Sequence, residues 1–309
     1  MEKILLIFIV NTNAGRKKGS RIWKKVERFL VRQKIEYEWY MTVGSGDAKK
    51  IAANLTSGIS YGKKVVLVVI GGDGTINEVI NGMHISDHVT LAVIPAGVSN
   101  DFARALKIRK NPIRALKNIV QSKGEVKIDY GIVSYGEGQH RRFVVSCGIG
   151  LDAAMVNIRA EKERQEQKKK HSLAYLLSAI AHIISSKTVG GCVILDDAKK
   201  MEFNHIAFVS MHIQPTECGG FRFAEKASAQ DGLLSSCVMF SKKKLKLLRN
   251  LIAARMGKHL NYAGVRKYDN SDIKVLLQSP QYLHADGEVL GKFQSIEVNC
   301  VSSKIRCIM

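Results

Sequence analysis

GGDGTINEVING, the stretch from Gly71 to Gly82, follows directly on the apolar run Val65–Ile70, and this junction decides how the chain is read. A strand that empties into two glycines, an aspartate, a third glycine and a threonine makes a phosphate and metal site. The glycines remove Cβ atoms and permit positive φ, so backbone N–H groups can close on an anion. Asp73 can hold a cation beside that anion, and Thr75 offers a hydroxyl. Ile76, Val79 and Ile80 then give the following residues a helical apolar face, with Asn77, Glu78 and Asn81 as polar groups behind the turn. A ligand-free Gly-rich turn is the competing account; it needs neither the carboxylate in the turn nor the amides behind it.

The pattern repeats on both sides. Ile4–Val10 is a short apolar run followed by NTNAGRKKG (Asn11–Gly19), a glycine-containing loop with three basic residues. Val89–Ile94 is another, followed by PAGVSNDFARALKI (Pro95–Ile108), whose small residues precede Asn100 and Asp101. Between these runs, Ile22, Val26, Phe29 and Leu30 recur at helical spacing, Ile35–Val43 reads as a strand, and Ala48–Leu55 is again helical. Strands alternating with amphipathic helices predict an α/β layer with a mostly parallel sheet. Ligands of such sheets gather outside the carboxyl ends of the strands, where all three loops fall.

After Asp129 the alternation becomes β-like. Gly131–Tyr135 and Arg142–Cys147 flank the turn GEGQ, and Val193–Leu195, His205–Met211, Leu233–Phe240, Ile273–Leu277 and Ile296–Val301 are further strand candidates. Linked mostly by turns, they predict a β-rich, mainly antiparallel sandwich. Two helical inserts interrupt it, Asn157–Ser186 and the basic Lys242–His259, the latter with Leu245, Leu248, Leu251, Ile252 and Met256 expected on one face. The expected organisation is therefore a first domain over residues 1–130 and a second over 131–309, with the final strand free to return to the first.

With 46% hydrophobic and 24% charged residues, the chain has an ordinary globular composition and no compositional sign of disorder. The formal net charge of +21 favours an anionic partner. Aromatics are sparse at 7% and show neither zinc-finger spacing nor an RNA-recognition signature, so nucleic acid is not expected. Lysine triplets at Lys168–Lys170 and Lys242–Lys244, one in each helical insert, favour an anionic membrane surface instead. The six cysteines form no C-x-x-C pair and read as reduced thiols. No run approaches the roughly 18 apolar residues of a membrane span. A cytoplasmic protein, peripheral to the inner face of the membrane, is the expectation; a homodimer is an open one.

GGDGTINEVING, PAGVSNDFAR, VKIDYG with Asp129, CGIGLDA (Cys147–Ala153), AQDGLL around Asp231 and HADGE with Asp286 and Glu288 together resemble the diacylglycerol-kinase-like lipid kinases, the superfamily that includes sphingosine and ceramide kinases. The resemblance covers nearly the whole chain; GGDG alone would not separate it from NAD kinases and phosphofructokinases. It implies a phosphofructokinase/NAD-kinase-like α/β domain, a β-sandwich domain and an active site in the cleft between them. It further implies an ATP-dependent lipid kinase, with diacylglycerol as the default acceptor. NAD kinase and a catalytically silent lipid-binding homologue are the alternatives.

By this resemblance Gly71, Gly72, Gly74 and Thr75 contact ATP phosphates, and Asn11, Gly15, Thr42 and Asn100 complete the nucleotide site. Asp73, Asp101 and Asp129 hold Mg2+. Asp286 is the general base toward the lipid hydroxyl, supported by Glu288. Val98 and Ser99 stand where the family commonly has Thr-Gly, a departure close to the nucleotide.

Overall fold

The computed structural model describes residues 4–57, 64–156, 185–217 and 219–309. They divide into two compact units, Met1–Tyr130 with Val301–Met309, and Gly131–Cys300.

In the first unit the apolar runs become β1 (Ile4–Val10), β3 (Lys64–Gly71) and β4 (Val89–Pro95), with the more exposed β2 (Tyr37–Met41) beside β1. Helices α1 (Ala14–Arg32), α2 (Asp47–Thr56), α3 (Asp73–Gly82), α4 (Asp101–Ala105) and α5 (Pro112–Val120) connect them. All these strand pairs are parallel, in the order β2-β1-β3-β4. Alternate residues Leu6, Phe8, Val10, Val66, Val68 and Ile70 pack with Ile22, Trp23, Val26 and Leu30 of α1 and with Leu116 and Ile119 of α5. The intervening residues Ile7, Ile9, Leu67 and Val69 are buried as well, on the face where α2 and α3 contact the sheet. Burial on both faces is why these strands are written as unbroken apolar runs.

Trp23, absent from the expected helical set, is a core residue whose ring lies 5.4 Å from that of Phe8 and 6.0 Å from that of Tyr37. The chain steps from β1 to β2 on one side and then to β3 on the other. That reversal opens a crevice at the strand carboxyl ends, the usual ligand position in open α/β sheets. Residues Arg306–Ile308 add a further parallel strand segment against Thr90–Ala92 of β4. Met309 N–H donates to the carbonyl of Gly124. The unit is thus closed by residues from the far end of the chain.

Within the second unit the paired strands are antiparallel. They comprise the later part of β5 (Glu125–Tyr135), β6 (Gln139–Phe143), β7 (Ser146–Gly150), β8 (Val189–Leu195), β9 (Lys199–His212), β10 (Leu234–Phe240), β11 (Val265–Asn270), β12 (Asp272–Ala285) and the earlier part of β13 (Glu288–Ile308). The 14-residue strands β9 and β12 are shared along their length: each pairs with β8 at one end and with β7 at the other.

One expectation is corrected here. Helix α6 (Lys244–Arg255) buries Leu247, Asn250, Leu251, Ala253 and Ala254, of which Leu247, Leu251 and Ala254 pack with Phe208, Cys237 and Met239, while Leu245, Ile252 and Met256 are exposed. The five apolar residues read as one face are split: Leu251 and Leu248 turn to the sheet together with Leu247 and the small Ala254, which lets the helix approach on that side. The other helical insert falls mainly on residues 157–184, outside the described residues.

Candidate active site

The first unit holds a pocket of about 420 Å³ at the carboxyl ends of β1 to β4. Asn11 and Asn13 after β1 line it with Ala14 and Gly15 at the start of α1, Thr42, Val43, Gly44 and Ser45 line it from the loop after β2, Gly72 after β3 with Gly74 and Thr75 in the first turn of α3, and Gly97 from the loop after β4. Six of the eight residues expected around a nucleotide therefore share one cavity. Gly71 lies behind it, where a Cβ would stand 2.6 Å from that of Thr75. Asn100 reaches it indirectly: its Oδ1 accepts from Gly97 N–H and its Nδ2 donates to Gly97 O, both at 2.9 Å.

The glycines differ in what they do. A Cβ on Gly97 would meet Gly72 Cα at 2.5 Å, so the loops after β3 and β4 touch backbone to backbone. Gly15 has φ +57 and a Cβ there would meet the Ala96 carbonyl at 2.1 Å; Arg16 and Lys17 continue the left-handed backbone with φ 60 and 66. Gly74 is the opposite case, because a Cβ there would meet nothing within 4 Å. It is exposed in the first turn of α3, whose N-cap Gly72 supplies no side-chain hydrogen bond. The first amide donors of this helix have no side-chain cap and lie beside open space at Gly74, an arrangement suited to an anion.

Asn11 Nδ2 donates to Thr75 Oγ1 at 2.9 Å, tying the first and third loops together. Asp73 Oδ1 accepts from Phe102 N–H at 3.1 Å, which brings it beside the start of α4 and next to Asp101. Asp101 is buried and ion-paired with Arg104 at 2.9 Å. Asp129 is fully buried on β5 and accepts from Ser303 N–H at 2.6 Å. It does not line the pocket. Val98 is 78% exposed, so its side chain leaves the Gly97 wall unchanged.

The polar residues behind the turn have structural employment. Glu78 accepts from Gly46 and Ala48 N–H at 2.9 and 3.2 Å, capping α2 from a neighbouring helix, and Asn81 donates to Asn77 O. Asp47 completes the β2–α2 loop by accepting from Val43 and Gly44 N–H, and these two bonds, the first foremost, hold its carboxyl below the ordinary value.

In the second unit the HADGE segment is a turn between β12 and β13. Asp286, at φ 48, accepts three backbone N–H bonds, from Val144 at 3.0 Å, Val145 at 2.8 Å and Ser146 at 3.1 Å. Glu288 is exposed and paired with the Arg141 guanidinium.

Residues 5–133 match the family described as Diacylglycerol kinase catalytic domain, and residues 144–309 match the YegS C-terminal NAD kinase beta sandwich-like domain. The chain belongs to the bacterial diacylglycerol-kinase-like lipid kinases. Similar proteins include "Putative lipid kinase YtlR" of Bacillus subtilis, 29% identical over 92% of this chain and 93% of that protein. The diacylglycerol kinase of the same organism is 26% identical over 94% and 92%. A diacylglycerol kinase structure from Bacillus anthracis superposes with a TM-score of 0.71 at 21% identity, covering 99% of this chain and 96% of that one. An NAD kinase from Archaeoglobus fulgidus in complex with ATP superposes at 0.52 with 13% identity, covering 99% and 94%, a likeness of fold alone.

Against this lipid kinase family, two groups stand out that motif reading passed over. Gly97 carries no functional group within PAGVSN, yet it is where two backbones meet. Asp152 and His284 sit inside CGIGLDA and HADGE, and together with Glu217 they form a buried polar cluster. Burial opposes a charge on His284, but Asp152, then Glu217 and Asp286, more than offset it and raise its pKa above the ordinary imidazole value. Burial foremost, then Asp152, Asp286 and Glu217, push the neighbouring Cys147 thiol well upward, which makes it a packing residue and not a nucleophile.

Proposed function

We propose that this chain is an ATP-dependent lipid kinase that transfers the γ-phosphoryl group of ATP to a lipid hydroxyl, with diacylglycerol as acceptor. The observation that carries the reading is Gly74: packing leaves space for a side chain there, and the residue has none. A phosphate chain seated on the Gly72–Thr75 backbone accounts for that vacancy, while the loops after β1 and β2 flank the rest of a nucleotide in the same pocket.

Mg2+ belongs to this reading. Asp73 and Asp101 supply hard oxygen donors from adjoining loops, a set that suits an ion which retains much of its water, with Asp129 as the third carboxylate. When bound, the ion neutralises charge on the phosphate oxygens. The chain's own part is to seat the phosphates on amides at the start of α3 and to take the acceptor's proton. Asp286 is assigned the second task. Its three amide bonds fix the direction of the carboxylate. Glu288 is a supporting carboxylate on the same turn. Phosphoryl transfer depends chiefly on such positioning and charge stabilisation.

Attachment to an anionic membrane fits the same reading. Leu245 and Ile252 on α6 and Met256 at its C-cap are exposed at spacings that share a helix face, with exposed Arg249 between them and Lys242 and Lys243 just before the helix.

Labelled ATP supplied with a panel of lipids in mixed micelles, and separately with NAD, tests the assignment. Labelled phosphatidic acid is the expected product; labelled NADP and no labelled lipid would overturn it. Asp286→Asn is expected to lower turnover by about 10²–10⁴-fold with ATP binding retained. Turnover near that of the wild type would remove Asp286 from the base role.

A further inference from the structure

The buried cluster in the second unit plays no part in the phosphoryl-transfer reading. Asp152 follows β7, Glu217 forms an isolated bridge with Phe221, and His284 lies near the end of β12; one ligand atom from each falls within 4.8 Å of the others. Their exposures are 7%, 2% and 1%. Two carboxylates withdrawn from water need a compensating positive charge, since the penalty runs to several kcal/mol per ion.

Between Asp152 and His284, hydrogen bonding does not supply that compensation. His284 Nε2 stands 3.5 Å from Asp152 Oδ2, beyond the roughly 2.7–3.2 Å of a good N–H···O bond. Among the described residues neither ring nitrogen of His284 has a hydrogen-bond partner, and neither does Asp152 Oδ2; Asp152 Oδ1 is taken by Ala153 N–H at 2.7 Å. Buried polar atoms are normally satisfied, so an unpartnered imidazole facing an unpartnered carboxylate oxygen points to something held between them. The separation fits: two ligands at about 2.0–2.2 Å from a tetrahedral ion lie roughly 3.3 Å apart.

The backbone makes the same space. Gly148 pairs in register with His284, and a Cβ there would stand 1.9 Å from Asp152 Oδ2 and 2.8 Å from His284 Nε2. Any side chain at 148 would fill the point on which the two ligand atoms converge.

We propose that Asp152, Glu217 and His284 bind one first-row divalent transition-metal ion, with Zn2+ as the reference case. Two carboxylates and an imidazole suit such an ion and leave a fourth position for water. The imidazole nitrogen sets the site apart from the oxygen-only sites of Mg2+ and Ca2+. The ion would join three separated chain segments, one of them two residues before Asp286. It shares no residue with the nucleotide, Mg2+ or base assignments.

The experiment takes the purified full chain, strips it with a chelator and titrates it with Zn2+ or Mg2+ in the absence of nucleotide. Calorimetry and the melting temperature are followed for the wild type, His284→Gln, Asp152→Asn and Asp73→Asn. The expected result is one Zn2+ per chain with a raised melting temperature. Binding should weaken at least 100-fold in His284→Gln and Asp152→Asn, remain unchanged in Asp73→Asn, and not be matched by Mg2+. Undiminished Zn2+ uptake in both cluster variants, or no uptake by the wild type, would overturn the site and leave a protonated His284 balancing the carboxylates. If the cluster variants do not fold, Co2+ added to the stripped wild type decides. A ligand-field band of four-coordinate Co2+ without a thiolate charge-transfer band supports the site, and its absence sinks it. Each readout is independent of whether any lipid is phosphorylated.

Discussion

Two glycines twenty-three positions apart separate packing from ligand binding. Gly74→Ala adds a methyl group to open space in a helix, so stability should hold or rise by about 0.5–1 kcal/mol. ATP affinity should nevertheless fall at least tenfold; calorimetry and thermal melting of the same sample check both halves. Gly97→Ala forces a Cβ to 2.5 Å from Gly72 Cα and should destabilise by about 1–3 kcal/mol in a urea titration. A different residue sets an acid limit. His212 is fully buried with Nε2 at 2.9 Å from Ser210 Oγ, and burial foremost, then His284 and His259, press its pKa to about 3. The unfolded chain takes that proton near the ordinary value of 6.5, so between the two values it binds more protons than the native state. The stability that neutral His212 contributes is complete above 6.5 and is lost on the way down to 3, at no more than about 1.4 kcal/mol per pH unit. His212→Gln should flatten this acid slope in urea titrations repeated across that window; an unchanged slope would assign it to other groups.

At the scale of elements, Glu78 couples two helices. It caps α2 from α3, and α2 has no side-chain cap of its own. Glu78→Ala should leave Gly46 and Ala48 N–H without that acceptor, cost about 1–3 kcal/mol and speed amide exchange in the first turn of α2. Glu78→Gln, which keeps one acceptor oxygen, should recover part of the loss. The elements themselves were legible to different degrees. β1, β3 and β4 read directly from their apolar runs because both faces are covered, and the loops behind them followed from strand direction. β12 was recognised only over Ile273–Leu277, whereas it runs to Ala285. Its middle reads Gln278, Ser279, Pro280, Gln281, and a proline inside a run argues against a strand. The structure accommodates Pro280 at a register break between Leu276 and Gln281, where pairing with β13 shifts. The cluster of Asp152, Glu217 and His284 was illegible for another reason: its members lie on three distant segments, and only antiparallel register aligns His284 with Gly148.

For the whole molecule, the decisive feature is that the first unit is discontinuous. Val301–Met309 pairs with β4, supplies Ser303 N–H to Asp129, and carries Arg306, which bonds Glu125 and the Asp87 carbonyl. Removing residues 301–309 should therefore weaken the first unit and not the second: proteolysis would release a resistant fragment near 131–300 while residues 4–130 are digested. Equal resistance of both halves would argue against this division. The same connectivity fixes an order in time. A ribosome delivers β1 to α5 early, but their sheet lacks its last parallel strand until every residue of the intervening unit has been made. Most two-domain chains fold from the front as they emerge. Here residues 131–300 are contiguous and can settle first, while the pocket at the carboxyl ends of β1 to β4 waits, partly assembled, for residues 301–309 to arrive. A chain interrupted late in translation would carry a finished second unit and an unfinished pocket in the first, so under the proposed kinase function truncated products would compete poorly for ATP.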